Sequence, residues 1–185
     1  MEIKLILHEF NTIKGRLPKK AIEAAISQKS EITPHLLELL QNLLEDPEGF
    51  IGYEDRMDYV FALYLLSYFR EKSAYDLILK IAQLSEDTLE MVLGDIITEG
   101  LPRFLISTFN GDINSLKQLI ENPNLNRWSR SEGLNCLIGL VAEKRLSRGE
   151  VINYWRSLFA DKSLLEDKDF TTDLANMAYD LFACE

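Results

Sequence analysis

Asp95, Glu99 and Arg103 stand four residues apart in LGDIITEGLPRFLISTFNGD, the stretch from Leu93 to Asp112. On one unbroken helix the two carboxylates would share a face, where they could exchange protons with a substrate or hold a divalent cation. Gly100 and Pro102 argue against an unbroken helix. Gly100 suits the left-handed position just past a helix end, and Pro102 suits the first turn of the next helix. The stretch then reads helix, break, helix. Asp95 and Glu99 fall in a last turn and Arg103 in a first turn, and both placements oppose the helix dipole. Two readings follow: a salt-bridged corner joining two repeats, in which each charge offsets the other's cost, or a polar site on an inner surface.

A second group of candidate binding residues lies in the basic stretch from Arg127 to Arg148, namely Arg127, Trp128, Arg130 and Arg148. Guanidinium groups there would take an acidic or phosphorylated segment. Trp128 could add an aromatic wall, whereas Trp155 falls on an apolar stripe and is expected in the core. The formal net charge of the whole chain is -10, with acid concentrated between Glu54 and Glu99. That balance disfavours nucleic acid, whose affinity comes largely from cations neutralising phosphates. It favours a basic partner for the acidic stretch.

Other chemistry is not signalled. His8 and His35 have no paired-ligand spacing, and Cys136 and Cys184 have no CxxC partner. Cys136 sits in the apolar run LNCLIGL and reads as a small buried hydrophobe, and both thiols are expected to stay reduced. Nucleophile elbows and phosphate-binding glycine loops are missing from the chain. No catalytic residue, metal ligand or cofactor is assigned. MEIKLILHEF lacks the basic start and cleavage site of a signal peptide, and no apolar run reaches the roughly 18 residues of a membrane span. A cytoplasmic protein away from membranes is the expectation.

The elements that must position these residues are helices. Apolar residues recur at i, i+3, i+4, i+7 in Ile3, Ile6, Leu7 and Phe10; in Leu36, Leu39, Leu40 and Leu43; in Leu89, Val92, Leu93 and Ile96; and in Val151, Tyr154, Trp155 and Leu158. No period-two alternation is sustained. Thr33-Pro34 predicts a helix start, SRSE (Ser129–Glu132) and SRGE (Ser147–Glu150) read as capping boxes, and Ser85 and Asp112 read as N-caps. YVFALYLLSYF, Tyr59 to Phe69, is apolar on nearly all sides and must be covered on more than one face. Helix pairs recur at offsets of about 39 and then about 35 residues, the range of HEAT and armadillo repeats. The spacing predicts an all-α chain of at least eight helices. They form one helical-repeat domain over residues 1–185, an α-solenoid of antiparallel helix pairs.

AIEAAISQKSEITPHLLELL, YVFALYLLSYFREKSAYDLILKI and GDIITEGLPRFLISTFNGDINSLKQLIEN resemble a bacterial family catalogued as a domain of unknown function. The resemblance runs from about Pro18 to about Trp155 and is most specific in EITP, LYLLSYFREKSAY and GDIITEGLPR. It implies a HEAT-like helical fold. Some longer members carry a C-terminal cysteine-rich metal-binding motif, which LFACE does not match, so that activity is not carried over. The functional expectation is a non-catalytic scaffold that binds a protein or peptide on a concave surface. Its rival is an enzyme or small-ligand binder with a polar site at Asp95, Glu99 and Arg103.

Overall fold

Side chains spaced at i, i+3, i+4, i+7 can leave water together only as one face of a helix. The computed structural model describes residues 1–11, 15–51 and 56–183 and is all-α over them: thirteen α-helices, two 3-10 turns and no strand among the described residues. In chain order the helices are α1 (Ile3–Asn11), α2 (Lys19–Ser27), α3 (Lys29–Glu45), α4 (Pro47–Ile51), α5 (Asp58–Tyr68), α6 (Tyr75–Ile81), α7 (Glu86–Leu93), α8 (Ile96–Glu99), α9 (Leu101–Thr108), α10 (Ile113–Glu121), α11 (Arg127–Ala142), α12 (Arg148–Ala160) and α13 (Lys168–Ala183). No helix among the described residues is long and apolar enough to cross a membrane.

The chain divides into two compact units, Met1–Ile81 with Ser107–Asn110, and Ala82–Ile106 with Gly111–Glu185. In the first unit α3 is the spine. Its Ile32, Leu36, Leu40 and Leu43 are fully buried, and it packs against α5, α6, α4 and α2. Phe10 of α1 stacks on Phe61 of α5 with ring centroids 4.7 Å apart. Lys29 donates from Nζ to the Phe69 carbonyl at 2.9 Å, a cation at the C-terminal end of α5 where the helix dipole favours it. Tyr75 meets Phe109 edge-on, with centroids 5.4 Å apart. In the second unit α11 is the hub, packing against α10, α13, α8 and α12.

Local signals were read correctly at some helix ends and misread at others. Ser85 caps α7 by accepting from the Thr88 amide, and Asp112 caps α10 by accepting from the Asn114 and Ser115 amides. Ser147 occupies the N-cap of α12 but makes no side-chain cap bond. Two predicted starts fail. Helix α3 begins at Lys29, so Thr33 and Pro34 lie inside it, with Thr33 donating from Oγ1 to the Lys29 carbonyl. Helix α11 begins at Arg127, capped by Asn126 accepting from the Trp128 and Ser129 amides. Helix α11 thus starts three residues before a Ser129 cap would place it and takes in Arg127, Trp128 and Ser129, of which Ser129 is fully buried and Trp128 stays 46% exposed.

Candidate functional site

At the corner that opened the sequence reading, α7 ends at Leu93 and the left-handed residue is Gly94, with φ +47, in place of the expected Gly100. Gly100 has right-handed helical backbone angles. Its lack of a side chain serves packing instead, since a Cβ there would lie 2.9 Å from both Ile96 Cγ2 and Phe104 Cζ. Asp95 therefore sits at the N-cap of α8, where a carboxylate suits the dipole, and not in a last turn. Asp95, Glu99 and Arg103 are all exposed. Among the described residues no side-chain hydrogen bond or ion pair joins them to one another. The corner is made by two glycines and buried apolar neighbours, without the salt bridge that the sequence suggested.

The basic stretch is occupied by the chain's own last helix. Arg127 clasps Asp173 in a two-pronged pair, Nε to Oδ2 at 2.9 Å and Nη2 to Oδ1 at 3.1 Å, with Asp169 at 3.6 Å. Its guanidinium lies over the Trp128 ring, 4.5 Å from the centroid, and Trp128 is 46% exposed. Arg130 is buried, donating to the Ile120 carbonyl at 3.0 Å and to Asp167 at 2.8 Å, with the Phe170 ring centroid 3.8 Å from its guanidinium carbon. Ser131 donates to Asp173, Arg148 donates to the Leu181 carbonyl, and the fully buried Trp155 donates from its indole to the Leu174 carbonyl. Thus Arg127, Arg130 and Arg148 hold α13. The acidic segment that Arg127 and Arg130 take up is Asp167, Asp169 and Asp173 of the same chain.

The electrostatics of this polar seam follow from burial and pairing. Burial pushes the Arg130 guanidinium down and Asp167 pushes it back up. Burial raises the Asp173 carboxyl, but hydrogen bonds from Arg127 and Ser131 outweigh it and hold the group below the usual carboxylate range. Glu132 has only an Asn135 amide donor at 2.7 Å against its burial, and its pKa is raised. The buried Cys136 thiol is likewise raised by desolvation, as befits an inert apolar position, while Cys184 lies outside the described residues. No cluster of three or more metal-ligating side chains occurs among the described residues.

A different feature, missed in the sequence reading, has the form of a binding site. Helix α2 carries two adjacent apolar stripes. Ala21 and Ala25 are buried, whereas one position on Ile22 is half-buried and Ile26 is 38% exposed. Helix α5 buries Val60, Phe61 and Leu65 but leaves Tyr64 52% and Tyr68 68% exposed. With Leu17 and Met57 these residues line a groove of about 470 Å³ whose walls are almost wholly apolar. The signal was present in the sequence as an excess of apolar residues: AAI repeats too much hydrocarbon for one stripe, and YVFALYLLSYF demands more cover than α1 and α3 supply.

The chain is similar to proteins of two Chlamydia species. An uncharacterised protein of Chlamydia muridarum (strain MoPn / Nigg) is 37% identical over 158 residues, 85% of this chain and 63% of the relative. An uncharacterised protein of Chlamydia trachomatis serovar D is 34% identical over 185 residues, covering 91% of this chain and 73% of the relative. The chain thus spans less than two thirds of the first relative's length. No solved structure matches it. The family model described as "Protein of unknown function (DUF1186)" matches residues 1–185, and the chain belongs to that family.

Proposed function

We propose that the protein is a non-catalytic helical-repeat scaffold that binds a protein or peptide in the groove between α2 and α5. The observation that carries this reading is the uncovered face of α5. A helix apolar all round is stable in water only when every face is covered, and Tyr64 and Tyr68 remain exposed beside Ile22 and Ile26. An incoming apolar helix would complete that cover with residues at i, i+4 and i+7, the usual mode of helix-in-groove recognition. The HEAT-like stacking of antiparallel pairs belongs to the same proposal and is supported by the repeat offsets in the sequence.

Photo-crosslinking in cells tests the reading. A benzophenone amino acid placed at Tyr68 or Ile26 should give a discrete adduct. The same group at Met91, an exposed apolar residue of α7, should give none. Equal labelling at all three positions, or none at any, would remove the groove from consideration.

A further inference from the structure

We infer that the segment bound in this groove is acidic as well as apolar: an amphipathic helix whose carboxylates lie at one end of its apolar face. This inference rests on the groove reading above and adds the chemistry of the partner. Leu17 lines both the apolar groove and a neighbouring recess of about 790 Å³. The recess is cationic through Arg16, Lys19 and Lys20, with Glu9 the one carboxylate among its lining residues.

Three observations give that recess meaning. First, Arg16, Lys19 and Lys20 are exposed and make no ion pair or side-chain hydrogen bond among the described residues. Four arginines are used otherwise: Arg56 clasps Asp58, Arg127 and Arg130 hold the segment of α13, and Arg145 pairs with Glu143, whereas the three cations of the recess stand together. Second, Lys19 and Lys20 are the first two residues of α2, which has no acidic residue in its first turn and no side-chain cap. Cations at the positive end of a helix oppose its dipole, so the placement works against folding and gains only if carboxylates arrive from outside. Third, the chain as a whole carries a net charge of -10, so a cationic recess beside the apolar groove stands out against an acidic background. Charge of this kind sets register and partner choice more than raw affinity. A concave groove between two helices suits inserted side chains better than a flat lipid surface.

Selection from a random peptide library displayed against the intact chain is the test, followed by titration of the enriched peptides. The expected consensus has apolar residues at i, i+4 and i+7 with Asp or Glu grouped at one end. Binding should weaken at least about tenfold in Lys19→Glu/Lys20→Glu, and the loss should shrink as salt is raised. That double variant should fold, because acidic side chains suit a helix N-terminus, and its thermal melt should show this. Ile26→Glu should abolish binding altogether. Apolar peptides without acidic residues would overturn the inference and leave the groove reading standing. Failure to enrich any peptide, or binding that survives Ile26→Glu, would overturn both. Sedimentation with phosphatidylserine vesicles, abolished by Ile26→Glu and unaccompanied by peptide enrichment, would replace the peptide with a lipid surface.

Discussion

Helices α5 and α11 are both surrounded on nearly every side, each within its own unit, yet they are held by opposite means. Helix α5 buries hydrocarbon: Val60, Phe61, Ala62, Leu63, Leu65 and Leu66. Helix α11 buries Ser129, Arg130, Ser131 and Glu132 beside Leu134, Cys136 and Leu137. Apolar contact is non-directional, so a helix like α5 can accept a new partner wherever a face is left bare. A buried charge must be met by a group in one place at one angle, so α11 accepts α13 in a single register. The apolar helix therefore leaves a groove open, and the polar one closes on its own chain.

The comparison can be broken most severely at Arg130. Arg130→Ala should cost on the order of 3–5 kcal/mol, because it strands the Ile120 carbonyl and Asp167 and empties the space over Phe170. Leu66→Ala in α5 should cost about 2–5 kcal/mol from lost transfer energy and the cavity left behind. Urea titrations of both, read at low and high salt, separate the two kinds of burial. Only the α11 variant should show a loss that depends on ionic strength; a salt-dependent Leu66→Ala would erase the distinction.

Gly100→Ala should cost about 1–3 kcal/mol by forcing Ile96 and Phe104 apart, although the backbone there is ordinary helix. A melt indistinguishable from wild type would show that these side chains have room to give.

Acid should divide the polar seam itself. Asp173 has a lowered pKa, so its contribution to stability is complete above the unfolded carboxylate value and is lost as pH falls through the folded one. Glu132 has a raised pKa from burial, so its penalty is absent at low pH and grows as pH rises through the folded value. Glu132→Gln should accordingly stabilise the protein at neutral pH, and the gain should vanish under acid, below about pH 4. Asp173→Asn should destabilise at neutral pH and converge with wild type in acid. Melts across pH check the two signs, and a shared sign would contradict the geometry.

The smallest effect is expected at Arg103. Arg103→Ala should change stability by about 0–1 kcal/mol, since the side chain is exposed and unpaired among the described residues. A loss of several kcal/mol in a thermal melt would restore the salt-bridged corner.

Much of the fold was legible because helical periodicity is a local property. The stripes through Leu36, Leu89 and Val151, the caps at Ser85 and Asp112, and the buried positions of Cys136 and Trp155 follow from spacing within a turn or two of helix. The competition between Asn126 and Ser129 for one cap was not legible, because the earlier start places Ser129 in the buried face of α11 and Arg127 against Asp173, a residue far along the chain. Nor was the fate of the arginines. Arg127 and Asp173 lie 46 residues apart, and nothing local distinguishes a solvated guanidinium from one clasped by a distant carboxylate.

By itself the sequence determined that the chain is helical, which faces are apolar, and that α5 carries more hydrocarbon than one neighbour can cover, since these depend only on residue type and a period of 3.6. Tertiary structure alone decided that the basic stretch is spent on α13 and that Asp95, Glu99 and Arg103 stand at the surface, unpaired among the described residues. It also decided that the uncovered strip of α5 faces Ile22 and Ile26 across a groove. Pairing and burial depend on which surfaces meet, and that is a property of contacts between residues far apart in the chain.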